Sequence, residues 1–113
     1  MLQAGAAKKV SIYINEDARH GASPLSDAIL QFLLHGGVSG ATAIRAMAGF
    51  GAHHRMHTPK IEVLSEHLPL VIEFVETEQK VNELMPALAD MVTDGLIEVQ
   101  DTHVIKAAYP ERR

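Results

Sequence analysis

The sequence predicts an α+β fold with four β-strands and two helices in the order β-α-β-β-α-β, followed by a short fifth strand. Three observations predict it. Apolar and other residues alternate over Lys8 to Ile14, Ala41 to Phe50 and Leu68 to Glu76, which is the period of a half-buried strand. Two intervening stretches repeat apolar residues every three to four positions, as a helix does. Glycine, proline and small polar residues mark the junctions. With 113 residues, 47% of them hydrophobic, the chain is expected to form one domain over 1–113 and is too apolar for disorder.

In the first strand Val10, Ile12 and Ile14 face one way, and Ser11 and Tyr13 the other. Asn15 to Ala22 has a turn-forming composition. Ser23-Pro24 reads as a helix start, an N-cap serine followed by proline at the first helical position. Leu25, Ala28, Ile29, Phe32 and Leu33 form the apolar stripe of this first helix, and Gly36-Gly37 ends it. In the second strand Ile44, Ala46, Ala48 and Phe50 share one face, with Ala43, Arg45 and Met47 on the other. Gly51 to His67 is a long connection, a length that is usually functional or mobile.

The third strand puts Leu70, Ile72 and Phe74 on one face and Val71, Glu73 and Val75 on the other. Thr77 caps the second helix, Glu78 suits its positive end, and Val81, Leu84, Met85, Leu88 and Val92 form its stripe. Pro86 deletes one helical hydrogen bond, so a bend is expected there, without a stop, because the stripe stays in phase. Asp94-Gly95 turns the chain into Leu96 to Gln100, and His103 to Ala108 is the short fifth strand. This order is the ferredoxin-like βαββαβ sandwich, an antiparallel sheet with both helices on one face. The apolar Val71 and Val75 then fall on the uncovered face, which argues that an oligomer buries it.

There is no cysteine, which excludes disulfides, thiolate metal sites and cysteine catalysis. The net charge of -4 gives no nucleic-acid footprint. No apolar run reaches the roughly 20 residues that cross a bilayer, and the first ten residues lack the apolar core of a secretion signal, so a cytoplasmic protein is expected. His53, His54 and His57 offer three imidazoles within five positions, and imidazole is the common nitrogen ligand of zinc, copper and nickel. A trimeric divalent-metal-binding protein using these histidines is therefore the alternative reading. Gly49-Phe50-Gly51 is either a strand exit or a place where backbone N–H groups approach a phosphate or carboxylate. Arg45 stands alone in a small, apolar strand; it either pairs with a carboxylate such as Glu73 or recognises an anion. The glutamates are too dispersed for a catalytic pair, and neither a phosphate-binding loop nor a nucleophile–base arrangement is recognisable, so an enzyme is not expected.

The stretch GATAIRAMAGFGAHHRMHT, followed by LPLVIEFVETEQKVNELMPALADMVTDGLIEV, resembles the PII-like signalling proteins, most closely their uncharacterised bacterial and archaeal branch. The similarity runs from Val10 to about Lys106. It implies a ferredoxin-like fold assembled as a homotrimer, with the three sheets facing the axis. It implies that residues 52–67 are the T-loop, which engages a protein partner such as a membrane transporter or channel. It also implies an adenine nucleotide effector (AMP, ADP or ATP) held between subunits. By similarity, Gly49, Phe50 and Gly51 match the T-loop base that lines that cleft, Thr93, Asp94 and Gly95 match the phosphate-receiving turn, and Lys106 lies near the basic residues of the last strand. Arg45, His53 and Arg55 are added from charge and position. The turn at Thr93–Gly95 is shorter than in the PII proteins proper, their terminal arginine pair is reduced to Lys106, and the T-loop has no tyrosine. A different small anionic ligand is compatible with these departures.

Overall fold

The computed structural model describes residues 1–50 and 68–110. Its elements are β1 (Gly5–Asn15), β2 (Arg19–His20), β3 (Ser23–Pro24), α1 (Leu25–His35), β4 (Thr42–Arg45), β5 (Pro69–Glu76), α2 (Glu78–Met91) and β6 (Leu96–Val104). The main sheet has the order β4-β5-β1-β6 with every neighbouring pair antiparallel, while β2 and β3 form a separate small hairpin. This is the ferredoxin-like topology that the element order predicts.

Alternation decides the core. Ile12 of β1 pairs with Ile72 of β5 and Ile97 of β6, and Val10 with Phe74 and Val99, so these side chains share one face. Against that face pack Leu25, Ile29 and Leu33 of α1 and Val81, Leu84 and Leu88 of α2. Both helices therefore cover the same side, and Val10, Ile12, Ile29, Ile72 and Leu88 are fully buried between them.

The helix ends follow local chemistry. The Thr77 hydroxyl accepts from the Lys80 N–H at 3.2 Å and caps α2 as expected. At the end of α1 the Gly37 and Val38 N–H groups return to the Leu34 and Leu33 carbonyls, and Lys80 Nζ donates to the Gly36 carbonyl at 3.0 Å. The α2 helix runs on through Pro86, which like Asn82 one turn earlier is exposed, so water reaches the carbonyl that lost its donor.

Three expectations are corrected. Ser23 is not an N-cap. Proline holds its predecessor extended, so Ser23–Pro24 pairs with Arg19–His20 instead. Pro24 itself takes the capping position, without a side-chain cap bond, because the Ala18 carbonyl already accepts the Leu25 N–H at 2.8 Å. The second strand is shorter than Ala41 to Phe50. Regular pairing ends at Arg45 opposite Leu70, with one further bond from the Ala46 N–H to the Pro69 carbonyl, because β5 begins at a proline that has no N–H to return. The fourth and fifth strands are one, because β1 extends back to Gly5 and pairs with β6 as far as Val104.

Candidate functional site

The sheet has two chemically different ends. At the first, β1 and β4 finish and β5 and β6 begin. Arg45, the last residue of β4, makes a two-pronged ion pair with Glu16, Nε to Oε2 at 2.5 Å and one terminal nitrogen to Oε1 at 2.8 Å. The hydrogen bond from Glu16, reinforced by its charge, holds the guanidinium pKa above its usual value. Glu73, the carboxylate considered for Arg45 from sequence, is on the wrong face. Arg45 pairs with Leu70 on the helix side, whereas Glu73 pairs with Thr42 on the open side and meets Lys9 at 3.5 Å. Gly49 has φ +157°, a conformation that residues with side chains rarely adopt. Across the sheet, a Cβ on Gly95 would overlap the Tyr13 carbonyl oxygen, so only glycine lets the turn after α2 lie this close to β1.

At the second end lies a groove of about 350 Å³. Leu2, Lys9, Ser39, Glu73, Val75 and Tyr109 line it, together with residues 40–42 just before and at the start of β4. A buried carboxylate outside the groove fixes Ser39, one of the lining residues. Glu76, 3% exposed, accepts from the Ser39 N–H at 2.9 Å, the Ser39 hydroxyl at 3.0 Å and the Thr77 N–H at 3.3 Å. The Ser39 hydroxyl oxygen in turn accepts the Leu2 N–H at 3.0 Å and holds the N-terminal segment against the loop. The open face of the sheet runs between the two ends. Ile44, Val71, Tyr13 and Leu96 form one register row across all four strands, and Tyr13, Ile44 and Leu96 are 40%, 48% and 58% exposed.

The residues singled out from sequence are thus distributed. Arg45, Gly49 and Phe50 belong to the first end at the β4 edge. Thr93, Asp94 and Gly95 lie at the same end but at the β6 edge, three strand spacings or roughly 14 Å away. Lys106 follows β6 at the opposite end, roughly 30 Å along the strands from Gly95 and three positions before the groove residue Tyr109. Gly51, His53, His54, Arg55 and His57 lie outside the described residues. Among the described residues no group of three His, Asp or Glu side chains is placed to hold a metal ion, and no helix is long and apolar enough to cross a membrane. Sequence reasoning missed Ser39, Glu76, Leu2 and Tyr109, which are far apart in the chain and carry no shared spacing signal. A glutamate at the inward-facing end of an apolar strand, Glu76 after Phe74, was the available clue.

This topology is that of the PII-like class. The structure of CPII, a nitrogen regulatory PII-like protein from Thiomonas intermedia K12 bound to ADP, AMP and bicarbonate, superposes with a TM-score of 0.69 over 92% of each chain, at 19% identity. Over residues 7–104 the sequence matches the DUF190 family, described as "Uncharacterized ACR", and the chain belongs to that family. Relatives include a UPF0166 protein of Methanocaldococcus jannaschii, 33% identical over 88% of this chain and 93% of its own length. A UPF0166 protein of Aquifex aeolicus is 30% identical over 87% of this chain and 92% of its own.

Proposed function

We propose that the chain is a non-enzymatic, single-domain PII-like regulator that binds an adenine nucleotide between the subunits of a homotrimer. Residues 52–67 are its T-loop, through which it engages a protein partner such as a membrane transporter or channel. The observation that carries this reading is the split of the candidate ligand groups between two ends of one sheet, beside an open apolar face. A single chain cannot bring Thr93–Gly95 to Lys106 and the Tyr109 groove. A head-to-tail contact that closes into a ring sets one subunit's first end against its neighbour's second end. It also covers Tyr13, Ile44, Val71 and Leu96.

The groove supports the ligand class. Its volume is at the lower end of small-molecule pockets, and its lining includes an aromatic residue, aliphatic residues and polar residues, a mixture that suits a purine. Lys106 and the Gly95 turn supply a cation and backbone N–H groups for phosphates. The fold-mate CPII was solved with ADP and AMP. The ligand then shifts the population of T-loop conformations to which the partner binds.

Calorimetric titration of the metal-free protein with AMP, ADP and ATP, together with its mass by light scattering, tests the reading. A trimer that takes up one nucleotide per subunit is expected, with binding lost in Gly51→Asp and weakened in Tyr109→Ala and Lys106→Ala. A monomer, or a trimer that binds none of the three, overturns it.

A further inference from the structure

Glu16 bonds both flanks of the segment that separates β4 from β5. Its carboxylate holds Arg45 at the exit, and its backbone N–H donates to the Leu68 carbonyl at 2.9 Å at the return. The two partners of the ion pair are unequally placed. The Glu16 side chain is 14% exposed, whereas that of Arg45 is 61% exposed. The guanidinium therefore presents a face to solvent while its planar fork is filled by a carboxylate of its own chain. That fork accepts any oxyanion that offers two oxygens in one plane. Arg45 also points to the helix side of the sheet edge, away from the groove and from the open face.

We propose that Glu16 is an internal stand-in for an oxyanion ligand at Arg45. Ligand binding and the Glu16–Arg45 clamp exclude one another, and an oxyanion at Arg45 releases the exit flank from Glu16, leaving the β4–β5 pairing and the Ala46 N–H to Pro69 bond as its remaining ties to the return flank. The ligand class is a small oxyanion that presents two oxygens to the fork, either free (a carboxylate or phosphate) or carried on a nucleotide. The inference rests on the regulator reading only in taking residues 52–67 as the partner-engaging segment. Conformational change then follows from competition, since the free energy of the anion on Arg45 is gained only in the unclamped state.

Chemical rescue tests it. Formate and inorganic phosphate are titrated against chloride at equal ionic strength, with the Arg45 Nε–H resonance as the readout. Glu16→Ala is expected to bind formate roughly tenfold more tightly than the wild type, because the competing charge-assisted bonds are gone. Glu16→Gln, nearly isosteric, gives the same direction should the alanine variant fold poorly. Arg45→Gln is expected to abolish the saturable thermal stabilisation by either oxyanion in both backgrounds. In the wild type, saturating phosphate is expected to accelerate hydrogen exchange at the Glu16 and Ala46 amides. Equal affinity in wild type and Glu16 variants, stabilisation that survives Arg45→Gln, or exchange unchanged with the anion bound would each overturn the proposal. ADP in a parallel arm identifies the source, since an ADP response lost in Arg45→Gln assigns the nucleotide phosphate. Nucleotide binding that persists without any oxyanion effect removes the switch and leaves the regulator; an oxyanion effect without nucleotide binding does the reverse.

Discussion

Ile12 and Tyr13 are consecutive residues of β1 with opposite fates. Ile12 is fully buried between the sheet and the helices, whereas Tyr13 is 40% exposed on the other side. The contrast extends along the sheet. The helix side is a finished core, closed by side chains of the same chain. The open side carries apolar groups in register, and among the described residues no second layer covers it. Large apolar side chains aligned in a row on a bare sheet are costly to leave in water. One face therefore encodes the fold of the chain, and the other is the surface that the proposed trimer would bury.

The strongest way to break this division is to cut each face and compare. Ile12→Ala removes a fully buried side chain from the helix side and should cost about 2–5 kcal/mol in chemical denaturation. If it leaves stability unchanged, the core is not where the burial places it. Ile44→Asp on the open side should leave the far-ultraviolet circular dichroism intact. It should raise the dissociation constant of the assembly at least about 100-fold, since it exchanges a buried apolar contact for an unpaired charge. Sedimentation of a still-assembled Ile44→Asp protein would show that the open face is not the contact.

Smaller effects sharpen the comparison at the edges of the core. Glu76→Ala leaves the partly buried Ser39 N–H without its acceptor, and about 1 kcal/mol of lost stability is expected. Because the Ser39 hydroxyl also holds Leu2, faster amide exchange at Leu2 should accompany it. Thr77→Ala removes a helix cap and should cost about 1 kcal/mol, measured as a shift in the denaturation midpoint with the cooperativity unchanged.

The fold was legible because alternation and helical period are local and strong. Val10, Ile12 and Ile14, or Val81, Leu84 and Leu88, declare their face within one segment. The strand ends were not legible, because they depend on partners remote in sequence. β4 stops where β5 begins with Pro69, and β6 extends because Gly5 to Ala7 happen to lie opposite it. The candidate site was legible as a list of residue types and not as a place. Nothing in the spacing of Arg45, Gly95 and Lys106 reveals that they occupy different edges and ends of one sheet. The partner of Arg45 followed only from which face it occupies, and that in turn required the register with Leu70.

The smallest effect concerns Lys8, which occupies the helix-side alternation of β1 yet lies beyond the cover of the helices. It pairs in register with Glu76 and Asp101 and makes an ion pair with Asp101, whose side chain is 85% exposed. The hydrogen bond to Asp101, with added attraction from Asp101 and Glu78, outweighs desolvation and raises the Lys8 pKa above 10.5. A cation whose folded pKa is raised stabilises the fold fully below its unfolded value, and that contribution disappears as pH climbs through the folded value. Lys8→Met should therefore melt slightly below the wild type near neutral pH, and the gap should close in alkali above pH 10.5. A gap independent of pH would mean that the aliphatic stem of Lys8, and not its charge, makes the contact, and the helix-covered core would then reach one residue further along β1 than its burial indicates.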